Sequence, residues 1–268
     1  MIQVKIDQSS PVFILGCPRS GTSVLSWAVA AHDAFWTSAE SDILHLLFGG
    51  GHLHRSFKEA YDRPDAGWLF KNKVTIKEFY QHLGVGIDLL FQSRAGDRRW
   101  VDATPSHTLM ARELAMLFPH ARFLHIVRDG RSVVSSMQSS GFDTSWSDNF
   151  KVACATWAHY VTSGMRFQQE EPERVLEVRN ERLRQAPAEE MKRIYEFLGV
   201  EDDPRGAEFL STKRINSSYG NEKLADVRKV KDPKSAPVAP WNDWSRSMHK
   251  EFEKQAGDAM RSLGYGDD

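Results

Sequence analysis

Pro11-Val12-Phe13-Ile14-Leu15-Gly16-Cys17-Pro18-Arg19-Ser20-Gly21-Thr22-Ser23 decides the fold. An apolar run of strand type enters a turn bounded by glycines and opens directly onto a helical pattern, Thr22 to Ala31. Backbone N–H groups at such a helix start surround phosphate oxygens, and Gly16 and Gly21 are spaced as in the phosphate loop G-x-x-x-x-G-K-S/T. The lysine of that loop is missing. Thr22 stands in its place, Ser23 follows, and the cation of the turn is Arg19. A nucleoside triphosphatase needs the lysine at its β- and γ-phosphates and a carboxylate to help hold Mg²⁺. This turn is built for a different anion.

Working outward, 268 residues suffice for one α/β domain over 1–268. With 35 basic against 36 acidic residues, no overall charge draws the chain to nucleic acid or to a membrane surface, so a basic site has to be local. Apolar runs such as Val24 to Ala31 fall far short of the ~18 residues that cross a bilayer. Met1 to Asp7 lacks the charged, apolar and small-residue sections of a secretory signal, which makes the cytoplasm the expected location. Cys17 and Cys154 are too few for a disulfide framework or a metal cluster and are expected as reduced thiols; Cys17, at a helix start, is placed where thiols become reactive. His52 and His54 have no accompanying ligand pattern, and no metal is expected.

Four β-rich runs, Val12 to Leu15, Arg99 to Val101, Arg122 to Val127 and Arg174 to Val178, alternate with helical stretches. The helices are read at 22–31, 40–47, 76–94, 106–117, 131–138, 149–169, 187–198 and 245–263. Alternation of this kind specifies a central parallel sheet flanked by helices, with ligands beyond the strand C-termini. Arg19, Asp102 and Arg128 all follow such ends. Trp157 lies on the apolar stripe of the 149–169 helix and is read as core. Residues 49–75 and 211–244 read as irregular covering loops, the second with a surplus of Lys and Arg.

A second anion element follows the third strand: Phe123-Leu124-His125-Ile126-Val127-Arg128, then Asp129-Gly130-Arg131-Ser132-Val133-Val134-Ser135-Ser136. Arg128 closes a strand, and Ser132 and Ser136 fall on one helical face pointing back toward the helix start. Together with Pro18-Arg19-Ser20-Gly21-Thr22-Ser23, this resembles the sulfotransferases that use 3′-phosphoadenosine 5′-phosphosulfate (PAPS). Their loop for the 5′-phosphosulfate reads P-K/R-S-G-T-T/S, and their 3′-phosphate element is a strand-end Arg followed by a helical Ser. The pattern is nearest to the glycan and tyrosyl-protein branch. Val178-Arg179-Asn180-Glu181-Arg182-Leu183, Phe197-Leu198-Gly199-Val200 and Trp241 extend the resemblance over most of the chain.

The resemblance implies a P-loop nucleotide-kinase-like α/β fold and transfer of a sulfuryl group from PAPS to an acceptor hydroxyl or amine, on a small molecule, glycan or peptide. It leaves 3′-phosphoadenosine 5′-phosphate (PAP) and needs no metal. Arg19, Ser20, Gly21, Thr22 and Ser23 are then the 5′ cradle, with Arg19 a fixed charge on the leaving group, and Arg128 with Ser136 the 3′-phosphate grip. Glu40, at the interval where related enzymes carry a glutamate, is the first choice of base, with Asp102 and His107 of Val101-Asp102-Ala103-Thr104-Pro105-Ser106-His107 as competitors. Ala103 stands where a lysine often sits; Lys71, Lys73 and Arg112 are candidates to replace it. Two other classes remain: a small-molecule or nucleoside kinase with Asp129 on a metal, and a non-catalytic nucleotide-binding protein.

Overall fold

The computed structural model describes residues 10–38, 40–63, 67–214, 228–229 and 241–266. Its strands are β1 (Val12–Leu15), β2 (Phe35–Thr37), β3 (Arg99–Asp102), β4 (Arg122–Val127) and β5 (Val175–Arg179). They form one sheet in the order β2-β3-β1-β4-β5, with each neighbouring pair parallel. A backbone pair, β6 (Lys213–Arg214) and β7 (Arg228–Lys229), lies apart from it. The helices in chain order are α1 (Thr22–Val29), α2 (Ile43–Phe48), α3 (His52–Tyr61), α4 (Trp68–Lys71), α5 (Ile76–Ala95), α6 (Ala111–Leu117) and α7 (Gly130–Gln138). They continue as α8 (Ser145–Asp148), α9 (Phe150–Glu170), α10 (Asn180–Gln185), α11 (Pro187–Leu198), α12 (Pro204–Thr212) and α13 (Arg246–Ser262).

A parallel strand covered on both faces is apolar throughout, and β1 reads Val-Phe-Ile-Leu with every residue buried. Successive side chains go to opposite layers. Val12 and Ile14 enter a core with Leu25, Ala28, Leu124 and Tyr195, under α1 and α11. Phe13 and Leu15 enter another with Trp100, Phe118 and Phe123, where Phe13 meets Trp100 edge to face at 5.3 Å. A third cluster joins α7, α9 and α13 around Trp157, which is fully buried core as expected.

The chain runs from β1 to β2 and β3 on one side, then crosses to β4 and β5 on the other. The C-terminal end of β1 is therefore the switch point of the sheet, where open α/β sheets bind ligands. Because the strands are parallel, the segments after all five emerge at one rim, and Arg19, Glu40, Asp102 and Arg128 arrive there from four different strands.

Several boundaries differ from the sequence reading. Strand β2 was not expected; it is three residues long, too short for its period to register. The 40–47 helix begins at Ile43, leaving Glu40 in the turn after β2. Much of the 49–75 stretch, read as irregular, is helical as α3 and α4, because Phe57 is buried beneath α3 and its ring meets Phe79 of α5. The 106–117 helix is a 3₁₀ turn, Pro105–Met110, followed by α6. Most of 211–244 lies outside the described residues. Among the described residues no helix is long and apolar enough to cross a membrane.

Helices α5 and α6 touch through a glycine. A Cβ on Gly84 would sit 2.0 Å from the Leu117 carbonyl oxygen, whereas one on Gly86 would meet nothing within 4 Å. Gly84→Ala is expected to destabilise the fold by about 1–3 kcal/mol through overpacking. Gly86→Ala gains up to about 1 kcal/mol of helix propensity. Urea unfolding of the two variants checks this, and equal midpoints contradict the close contact.

Candidate active site

The turn between β1 and α1 is held from several sides. The Gly16 amide donates to Thr108 Oγ1 at 2.7 Å. Asn180 Nδ2, at the end of β5, donates to the Ser20 carbonyl at 3.0 Å. An Arg128 guanidinium nitrogen donates to the Arg19 carbonyl at 3.2 Å. Arg19 has φ 71° and Gly21 φ 107°, so the backbone takes the left-handed region twice within three residues, once at a non-glycine. A Cβ on Gly21 would meet Asn180 Nδ2 at 2.4 Å, and one on Gly16 would meet the Ile126 carbonyl at 2.9 Å. Both glycines are thus required by close approach, and only a turn pinned by its neighbours keeps this shape.

Ser20 closes the turn: its amide donates to the Cys17 carbonyl at 3.0 Å and its side chain is buried. Gly21 caps α1, and the amides of Thr22 and Ser23 occupy its first turn, where N–H groups have no acceptor within the helix. These point outward at the rim with the positive end of the helix dipole.

Arg19 reaches across to the second element: its Nε donates to Ser136 Oγ at 3.2 Å, and its guanidinium lies 5.6 Å from the Phe142 ring centre. Burial lowers its pKa. Arg128 is pushed down to about 10, first by burial and then by the charge of Arg184, with Arg19 adding to the effect. Arg19 and Arg128, each just past a strand end, and Arg184 of the last turn of α10 thus act on one another, offset in part by Glu181 and Asp129, and an anion there relieves both desolvation and repulsion. Asp129 is occupied elsewhere: it caps the Arg131 amide at 2.8 Å and pairs with the Arg131 guanidinium at 2.7 Å.

Glu40 stands at the same rim after β2 and is partly buried. Tyr160 of α9 feels its charge: the hydroxyl is pushed up to about 12 first by burial, with the charges of Cys17 and Glu40 contributing. Asp102, 4% exposed, accepts from both the Thr104 amide at 2.9 Å and the Thr104 hydroxyl at 2.7 Å. His107 is 0% exposed, packs edge-on against Phe13 at 5.6 Å, and lies 3.6 Å from Asp102. Burial lowers its pKa, which keeps the imidazole neutral and enclosed behind the rim.

The remaining sequence candidates separate in the same way. The Cys17 thiol is buried and its pKa raised well above the ordinary value by desolvation, the opposite of a reactive helix-start cysteine. Cys154 is likewise pushed up to about 12. Arg112 is turned to Glu170 of α9, its Nε donating at 2.6 Å. Lys71 ends α4 and Lys73 follows it with φ 55°. His52 pairs with Arg55 at 2.7 Å. Sequence reading missed Asn180, Thr108, Phe142, Tyr160 and Arg184. Of these only Asn180 left a trace, as a polar residue just past a strand end.

The Drosophila melanogaster protein-tyrosine sulfotransferase is 28% identical over 260 residues, covering 94% of this chain and 49% of that protein. The chain spans between 49% and 62% of the length of three such relatives. Among solved structures, the sulfotransferase domain of the Synechococcus olefin synthase superposes with a TM-score of 0.63 at 21% identity, covering 97% of each chain. A mouse sulfotransferase complexed with PAP gives 0.54 at 14% identity, covering 96% of this chain and 88% of that one. The model of the sulfotransferase family matches residues 11–204. That span takes in all five strands of the main sheet and both basic elements, and the chain belongs to the sulfotransferase family.

Proposed function

We propose that this rim transfers a sulfuryl group from PAPS to an acceptor hydroxyl or amine, leaving PAP. The observation that carries the reading is the junction of the two anion elements: Arg128 donates to the Arg19 carbonyl, and Arg19 donates to Ser136. One adenosine nucleotide bearing both a 5′ and a 3′ charged group suits cations gathered this closely, and a relative of the same fold is complexed with PAP.

In this reading the Gly21, Thr22 and Ser23 amides hold the 5′-phosphosulfate. Arg128 and Ser136, with the charge of Arg184, hold the 3′-phosphate. The acceptor oxygen forms a bond to sulfur as the bridge from sulfur to the 5′-phosphate breaks, and the electron pair of that bridge stays on PAP. Arg19, a permanent cation, stabilises the charge that accumulates there. Glu40 takes the acceptor proton. The enclosure of His107 and the engagement of Asp102 with Thr104 favour Glu40 over both. A transferred sulfuryl carries less negative charge than a phosphoryl, so positioned cations suffice, and turnover is expected to persist in chelator. The exposed Leu46 and Leu47 of α2, just past Glu40, suit an acceptor with apolar groups beside its hydroxyl, on a peptide or a small molecule.

Label transfer from ³⁵S-PAPS into fractionated acceptors, run in EDTA, tests the activity; transfer that requires Mg²⁺ and ATP in place of PAPS supports a kinase instead. Glu40→Gln is expected to abolish turnover with PAP affinity nearly unchanged, and retained turnover hands the base role to another group. Arg19→Ala is expected to lower kcat by about 10²–10³-fold, as loss of a preorganised charge does, with Arg19→Lys recovering part of it. Equal rates for wild type and Arg19→Ala reject the leaving-group role.

A further inference from the structure

The geometry points to Thr104, held by Asp102, as the positioning residue that sets the base: its hydroxyl clamps the turn carrying Glu40 onto the end of β3. The inference rests on the assignment of Glu40 proposed above.

The bonds run in one direction. Thr104 Oγ1 donates to Asp102 Oδ1 at 2.7 Å and accepts from the Ser41 amide at 2.9 Å. A carboxylate only accepts, so Asp102 fixes the hydroxyl proton on its own side and leaves the oxygen lone pair for Ser41. The Thr104 amide also donates to Asp102 Oδ1, at 2.9 Å, which locks the residue that carries the hydroxyl. Thr104 is 1% exposed and Asp102 is 4% exposed, so water does not compete for these bonds. Such shielding makes the loss of one partner costly.

Glu40 lies between two ties, one to β3 and one to the segment that follows it. Before it, Thr37 Oγ1 donates to the Val101 carbonyl at 3.0 Å in the β2–β3 register. After it, Ser41 is tied to Thr104, beyond the end of β3. The next residue, Asp42, has φ 49°, and the chain turns there into α2. The tie of Thr37 to β3 and the tie of Ser41 to Thr104 just beyond it bracket Glu40 at the rim where β1 and β4 deliver Arg19 and Arg128. Asp102 therefore serves the reaction through Thr104 and Ser41, at a distance from the acceptor.

The test compares Thr104→Val, which keeps the shape and removes the hydroxyl, with Thr104→Ser, which keeps the hydroxyl. Thr104→Val is expected to lower kcat by about 10- to 100-fold, the scale of a catalytic group displaced by roughly 1 Å, while PAP affinity and KM for PAPS stay near wild type. Thr104→Ser restores the rate. Hydrogen exchange at the Ser41 amide supplies a readout apart from activity: protection falls in Thr104→Val and returns in Thr104→Ser. Unchanged kcat in Thr104→Val or unchanged exchange at Ser41 overturns the clamp. Turnover surviving Glu40→Gln is a separate result: it overturns the base assignment and the rate argument with it. Should Thr104→Val fail to fold, Asp102→Asn, which weakens the hold on the hydroxyl, is expected to lower kcat and Ser41 protection together; wild-type values of both overturn the proposal.

Discussion

The shape of the β1–α1 turn is the constraint on which the site depends. Its backbone enters the left-handed region at Arg19 and Gly21, which an unsupported chain would abandon. It stays because Thr108, Arg128 and Asn180 reach it from the segments after β3, β4 and β5. The parallel sheet makes this possible by delivering every one of those segments to the same rim. Turn and sheet are one device: the strands bring the clamps, and the clamps hold the amides of α1 toward an anion.

Charge completes the arrangement. Arg128 is enclosed beside Arg184 and Arg19, and burial together with like charge depresses its pKa. Nearby carboxylates offset this only in part, and Asp129 is already committed to Arg131. In the proposed reading, a doubly anionic nucleotide relieves this concentration of positive charge. The proposed acceptor side is set by polar bonds between neutral groups and one carboxylate, running from Asp102 through Thr104 to Ser41. In this account the donor half attracts by charge, and the acceptor half orients by hydrogen bonding.

Much of the donor half was legible in the sequence. The run from Val12 to Leu15 and the run from Phe123 to Val127 are wholly apolar or nearly so, each ends on a turn with chemistry of its own, and the two strands prove to be neighbours in register. Glu40 was singled out by its interval from the turn and does lie at the rim, although the helix placed over it starts only at Ile43. What supports the site was hidden, for physical reasons. Asn180 matters through one amide bonded to a residue 160 positions away, and neither period nor composition announces such a contact. His107 reads as a catalytic type, yet lies behind Phe13, because an imidazole is compatible with core and rim alike. Strand β2 is too short to show alternation, and α3 was obscured by the glycines that precede it.

The central claim is that one nucleotide spans both basic elements, and calorimetric titration in EDTA tests it most directly. PAP is expected to bind wild type at least about 100-fold more tightly than adenosine 5′-phosphate, the discrimination of about 2.7 kcal/mol that a charge-assisted grip on an extra phosphate supplies. That preference disappears when Arg128 and Ser136 are both replaced by alanine. Equal affinity of the wild-type protein for the two nucleotides contradicts the account.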